Sequence, residues 1–202
     1  MIAIIDYGVG NLFSLKSSFK AIGQDAVVTD EKSVIHQADR IILPGVGAFE
    51  DAIKKLKNTG MADVLSEECK SGKPIMGICL GMQLLFDESY EFGVHKGLGI
   101  IPGSIVPFEG KIDSELRIPH IGWNSLSLKN NSALLKYISN GDHVYFVHSY
   151  FAQCDDKYVI ASSDYGIEFT ASVQRDNVYG CQFHPEKSGA VGKNILKGFC
   201  EL

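Results

Sequence analysis

Apolar positions in the first part of the chain fall into short blocks separated by stretches of helical spacing. Ile2-Ala3-Ile4-Ile5 is an apolar block rich in β-branched side chains, the pattern of a strand buried on both faces. Asp6-Tyr7-Gly8-Val9-Gly10 turns the chain, and Leu12, Leu15, Phe19 and Ile22 then recur at helical spacing up to a stop at Gly23. Ala26-Val27-Val28 is a second strand, and Arg40-Ile41-Ile42-Leu43 a third, closed by Pro44-Gly45. Phe49, Ile53 and Leu56 mark one helix, and Met61, Val64 and Leu65 the next. Lys73 to Ile78 reads as a fourth strand that ends at Cys79, with Leu80 to Phe86 beginning another helix. This alternation predicts an α/β fold, a parallel sheet with helices on both faces.

The pattern changes after about Ile100. Short strands follow one another, among them Val144 to Val147, Tyr158 to Ala161, Phe169 to Val173 and Val178 to Gln182. Helical periodicity is weak there except around Ala133 to Ile138. A mixed or antiparallel extension of the same sheet is expected, closed by a helix with Val191, Ile195 and Phe199 on one face. There is no internal repeat, linker or low-complexity segment, so residues 1–202 are expected to form a single domain.

Composition narrows the classes of function. A chain of 202 residues, 45% hydrophobic and 21% charged, has enough material for a sizeable core. The formal net charge of −5 argues against broad electrostatic binding to nucleic acid. No apolar run approaches the roughly 18 residues of a membrane span, and Met1 to Asp6 lacks the basic leader of a signal peptide. The five cysteines are odd in number, widely spaced and form no C-x-x-C pair, so neither a zinc site nor a disulfide framework is expected. The expectation is a soluble, cytoplasmic protein with free thiols and no metal.

Candidate chemistry centres on Cys79. It stands between Gly77 and Gly81 where an apolar strand gives way to a helix, and glycines permit the backbone crowding of a tight elbow. The Leu80 N–H would face a developing oxyanion. The plain alternative is a buried core cysteine. His184 and Glu186 are two residues apart, so in extended chain they would share a side. Glu186 would orient the ring and His184 would take the thiol proton; the alternative is a solvated surface turn. Pro44-Gly45-Val46-Gly47 lacks the Lys-Ser/Thr of a P-loop, yet offers backbone N–H groups to an anion, unless it is a plain βα turn. Tyr145 to Tyr150 reads mostly as core strand, with His148 and Ser149 at an end that could meet substrate. His120 and Trp123 lie on a short segment bounded by Pro119 and Gly122, which suits packing or an exposed partner surface.

Three motifs then carry a resemblance over nearly the whole chain. Gly77-Ile78-Cys79-Leu80-Gly81-Met82-Gln83, Gln182-Phe183-His184-Pro185-Glu186-Lys187-Ser188 and Leu43-Pro44-Gly45-Val46-Gly47-Ala48-Phe49 resemble the class I (triad) glutamine amidotransferases. Asp6-Tyr7-Gly8-Val9-Gly10-Asn11, Pro119-His120-Ile121-Gly122-Trp123-Asn124 and Tyr145 to Tyr150 resemble, within that class, the glutaminase subunits of imidazole glycerol phosphate synthase, an enzyme of histidine biosynthesis. The resemblance implies a three-layer, flavodoxin-like fold. It implies Cys79, His184 and Glu186 as catalytic triad, and Gly45, Val46, Gly47 and Leu80 as oxyanion turn. Gln83, Ser149 and Tyr150 would hold the glutamine. His120, Trp123, Asn124 and Lys187 would face a (β/α)8-barrel cyclase subunit that receives the ammonia, in a heterodimer. No cofactor is implied. Cys181 stands where relatives often carry an aliphatic residue, and is expected to be inert packing. Three other readings share parts of this pattern: the same glutaminase serving a surface-polysaccharide sugar amidotransferase, a stand-alone γ-glutamyl cysteine hydrolase, and a non-catalytic interaction subunit.

Overall fold

The computed structural model describes all 202 residues. The first half alternates as the pattern requires: β1 Ile2–Ile5, α1 Leu12–Ala21, β2 Ala26–Thr29, α2 Lys32–Gln37, β3 Arg40–Leu43, α3 Phe49–Asn58, α4 Met61–Lys70, β4 Ile75–Ile78 and α5 Leu80–Leu84. Strands β2, β1, β3 and β4 lie side by side, all parallel. Successive strand residues face opposite sides, and this sorts the apolar blocks into two cores. Ile2, Ile4, Ile42, Met76 and Ile78 enter one cluster. Ala3, Ile5, Ile41, Leu43 and Ile75 enter the other, across the sheet. Helix α3 shows why such a segment is helical: Phe49, Ala52, Ile53 and Leu56 are buried on one stripe, with Glu50 and Asp51 in the first turn and Lys55 and Lys57 in the last. That charge order suits the helix dipole.

The second half comprises β5 Phe86–Ser89, β6 His95–Lys96, β7 Ile101–Pro107, β8 His120–Ser125, β9 Ser127–Leu128, β10 His143–His148, β11 Tyr150–Gln153, β12 Val159–Asp164, β13 Glu168–Arg175, β14 Val178–Cys181 and α6 Gly189–Cys200. Strand β14 joins the two halves. It runs parallel to β4, with Cys181 opposite Ile78, and antiparallel to β13. The sheet continues through β11, β7, β5 and β6, while β12 flanks β13 and carries β9. A mixed extension was expected, and this is one.

Several expectations are corrected. Val144 to Val147 does not extend the main sheet; it belongs to β10, which pairs only with β8 in a separate two-stranded ribbon. Only one face of β10 is buried, through Val144, Phe146 and His148, so the ribbon covers the core as an outer layer. The helix after Cys79 stops at Leu84, because Phe86 is fully buried in β5 opposite Ile101. The periodicity at Ala133 to Ile138 resolves into a 3-10 turn, Ala133–Leu135, and Tyr158 closes another, so β12 starts at Val159. The fourth strand starts at Ile75, two residues late. Helix α2 left little trace in the pattern, since only Ile35 in it is buried. No helix is long and apolar enough to cross a membrane.

Candidate active site

Cys79 is the hinge of a strained turn. Its backbone sits at φ 55 and ψ −114, a conformation unusual for a non-glycine residue. Its N–H donates to the Cys181 carbonyl at 2.7 Å, so β14 fixes the elbow from one side. From the other side, β3 crowds it. A Cβ on Gly81 would come 1.9 Å from the Leu43 carbonyl oxygen, and one on Gly77 would come 2.6 Å from the backbone of Gly81 and Met82. A Cβ on Gly45 would meet the Gly81 nitrogen at 2.7 Å. The glycines at 45, 77 and 81 therefore interlock the two turns, and this close approach holds the thiol at the carboxyl ends of the strands.

His184 follows β14 and comes to the same spot, with its backbone N–H on the Tyr145 carbonyl at 2.9 Å. Nδ1 of His184 lies 2.8 Å from Glu186 Oε1, and both side chains are almost wholly buried. The pair does not meet through extended chain. Pro185 opens a 3-10 turn, Pro185–Lys187, in which the Lys187 N–H donates back to the His184 carbonyl at 3.0 Å. The fixed φ of proline suits that start. Burial works against charge on the His184 ring, but the Cys79 and Glu186 side chains outweigh it and raise its pKa to about 9. The second Glu186 oxygen, Oε2, is buried without a partner.

A cleft of about 350 Å³ opens above these groups, lined by Val46, Gly47, Cys79, Leu80, Gln83, Ser149, Tyr150, His184 and Lys187 among others. The structure thus brings together most of the expected site. The 44–47 turn is anchored by Tyr7, whose hydroxyl donates to the Pro44 carbonyl at 2.7 Å. Burial and the nearby Cys79 push that phenol well above its usual range. Gly45 lies behind the cleft wall against the elbow. Gln83 is held from two sides, its Nε2 donating to the Gln182 side chain at 2.9 Å and to the Tyr150 carbonyl at 3.1 Å. Glu91 also lines the cleft and accepts from the Phe49 N–H at 2.5 Å. Sequence reasoning missed it, since a lone acidic residue in a loop carries no motif.

The expected partner surface divides. Trp123 is 53% exposed and stacks edge-on against Tyr145, with ring centroids 5.9 Å apart. Lys187 is exposed, with Nζ 5.8 Å from the same Tyr145 ring. The two thus meet one ring, and of them Lys187 also lines the cleft. His120 does not belong to that surface: only 1% exposed, it lies inside an aromatic cluster with Phe146, Tyr165 and Phe169. Alternation along β8 turns position 120 inward and 123 outward. Asn124 is half-buried, its side chain turned onto His120 and the Asp164 carbonyl. His148 lines the cleft but is locked inward, against His120 and the Tyr150 carbonyl. Cys181 is fully buried and its thiol is pushed up to about 12 by burial, which leaves it protonated packing.

A family model for class I glutamine amidotransferases matches residues 3–201. The chain belongs to that family. Full-length relatives narrow the placement. The chain is 50% identical over 203 residues to the imidazole glycerol phosphate synthase subunit HisH of Caldanaerobacter subterraneus subsp. tengcongensis, covering 100% of this chain and 98% of that one. It is 48% identical to the subunit of the same name from Syntrophotalea carbinolica, over the full length of both. Among solved structures, a glutamine amidotransferase superposes with a TM-score of 0.77 at 18% identity, covering 100% of this chain and 98% of that one. The PurLQS structure from Thermotoga maritima does so with 0.76 at 20% identity, covering 99% and 97%. At these identities the two structures speak for the fold: a class I amidotransferase sheet, parallel at its centre and antiparallel beyond.

Proposed function

We propose that residues 1–202 act as one glutaminase unit, the subunit of imidazole glycerol phosphate synthase that releases ammonia from L-glutamine, working in the cytoplasm on the histidine pathway. The single observation that carries the chemistry is that Cys79 and His184 line one cleft, with Glu186 Oε1 2.8 Å from His184 Nδ1. Cys79 Sγ attacks the side-chain carbonyl carbon of glutamine, and the oxygen becomes an anion beside the Leu80 N–H and the Gly45-Val46-Gly47 turn. Protonated His184 gives its proton to the amide nitrogen, the C–N bond breaks and ammonia leaves. Water then attacks the thioester, its proton passes to His184, and glutamate and the thiolate are released. Glu186 holds the imidazole in orientation throughout. Gln83, Ser149 and Tyr150 hold the amino-acid end, with Glu91 available to its ammonium group. Ammonia passes to a partner subunit, a (β/α)8-barrel cyclase, docked over Trp123 and Lys187.

The full-length likeness to HisH subunits favours this reading over a polysaccharide amidotransferase or a stand-alone hydrolase. The test is Cys79→Ser in the complex. Glutamine-dependent synthesis should disappear, while synthesis from supplied ammonium salts stays near wild type. Loss of both activities would make Cys79 a structural residue and remove the centre of the proposal.

A further inference from the structure

Behind the cleft, two buried histidines form a chain of contacts whose protons do not add up. His148 Nδ1 lies 2.9 Å from the Tyr150 carbonyl oxygen, and His148 Nε2 lies 3.0 Å from His120 Nδ1. His120 Nε2 lies 2.9 Å from Asn124 Oδ1. The orientation of Asn124 is set by its other end, since Nδ2 donates to the Asp164 carbonyl at 2.7 Å and an oxygen there would face another oxygen. Both ends of the chain are therefore acceptors. Each of the three contacts made by the rings needs one proton, and two neutral imidazoles supply two.

A third proton would complete the chain but would leave a cation inside an aromatic cluster. The hydrogen-bond partners of the rings include no carboxylate. The groups that face the pair are the rings of Phe108, Phe146, Phe169 and Tyr165 and, toward the cleft, His184, which adds like charge. Burial pushes the pKa of His148 down to about 3 and lowers that of His120. The pair is neutral, and one contact goes without a proton. The cheapest one to lose is the contact whose acceptor keeps another donor. The Tyr150 carbonyl is that acceptor, because Gln83 Nε2 donates to it at 3.1 Å. With Asn124 turned as it is, both histidines carry their proton on Nε2. If the Asn124 amide rotates to present its N–H to His120, both protons shift to Nδ1, and His148 donates to Tyr150.

We propose that His120 and His148 are positioning residues that share two protons among three contacts, so that the orientation of the Asn124 amide decides whether His148 holds the Tyr150 carbonyl at the cleft. Asn124 lies on β8 next to exposed Trp123, so the chain of contacts links the outer ribbon to the cleft wall at Tyr150. The link to catalysis rests on the reading of the cleft as the glutamine site; the proton register does not.

Nitrogen-15 NMR of the full chain with labelled histidine separates the Nδ1–H from the Nε2–H form of each ring. The wild type should show His148 as Nε2–H. Asn124→Leu removes the acceptor of the His120 proton and should switch His148 to Nδ1–H, two side chains away. In the complex, Asn124→Leu should shift KM for glutamine by about fivefold, the scale of one hydrogen bond changed at the Tyr150 carbonyl, with kcat changed by less than about twofold. A wild-type His148 in the Nδ1–H form, or a His148 tautomer that does not switch in Asn124→Leu, would overturn the register. A switch with KM unchanged would overturn the positioning role, and an absence of any glutaminase activity in the wild type would instead overturn the reading of the cleft.

Discussion

The parallel half of the sheet and the ribbon of β8 and β10 meet at the same cleft but are built on opposite terms. In the parallel half, strands are buried on both faces and adjacent turns touch through bare glycine backbones, so the Cys79 elbow has one permitted geometry. The ribbon buries one face only. Its outer face leaves Ile121 58% and Trp123 53% exposed, and its inner face sets the polar rings of His120 and His148 beside Val144 and Phe146. Close packing fixes an atom where bonds are made and broken. A half-buried ribbon with a proton-short network has alternatives available, which suits a surface that answers to a partner.

The sharpest way to break this contrast is to add one methyl group on each side. Gly81→Ala drives a Cβ to 1.9 Å from the Leu43 carbonyl oxygen. Neither backbone can give way without moving β3 or the elbow, so a loss of roughly 3 kcal/mol or more is expected. Gly141, in the turn before β10, has open space around its added Cβ and only an unfavourable φ of +91. Gly141→Ala should cost about 1 kcal/mol. Denaturant unfolding of both variants measures the difference, and equal losses would mean that the elbow is no more constrained than a surface turn.

This contrast also governs what could be read from the chain. Blocks such as Ile2 to Ile5 and Arg40 to Leu43 are legible because burial on both faces leaves few polar interruptions. The elbow is legible because Gly77 and Gly81 bracket Cys79. Strand β10 was legible as a strand but not as part of a separate ribbon, since alternation reports how many faces are buried and not which neighbour buries them. Tertiary position likewise hid the inward turn of His120, which looks like a surface residue between Pro119 and Gly122. Glu91 was invisible, because its role comes from the cleft that folds over it. His184 and Glu186 were paired for a reason that did not hold: the 3-10 turn at Pro185, not strand alternation, brings them together.

A smaller effect tests whether the triad belongs to the rigid side. The His184 pKa is raised from 6.5 to about 9 in the folded chain by Cys79 and Glu186, despite burial. A group whose folded pKa is raised stabilises the fold fully below its unfolded pKa and loses that contribution as pH rises through the folded one. Folding stability should therefore fall between about pH 6.5 and 9. In Glu186→Gln the fall should begin at the same pH but be smaller and end at lower pH, and glutaminase activity should exceed that of His184→Ala, because the carboxylate orients the ring and carries no proton. An identical pH profile in Glu186→Gln would detach the carboxylate from the ring's charge.

The smallest effects belong to the outer face. Trp123 and Lys187 come from different elements, yet both meet Tyr145, the residue opposite Trp123 in the ribbon. Within the chain neither contact is a strong anchor: the rings meet edge-on, and the ammonium sits 5.8 Å from the ring centre in exposed surroundings. Both side chains are thus free to be claimed by a partner. An exposed tryptophan that becomes buried in an interface often carries about 2 kcal/mol, so Trp123→Ala should weaken association by roughly thirtyfold. Lys187 stands one residue from Glu186 at the mouth of the cleft, where an ion pair at a rim contributes little to affinity. Its loss should leave affinity near wild type and instead let ammonia escape at the joint. The measure is the ratio of glutamate formed to acceptor product in each mutant complex. That ratio should rise in Lys187→Ala at unchanged affinity, whereas unchanged ratio and affinity in both variants would move the docking face away from the ribbon and leave its exposed residues without a role.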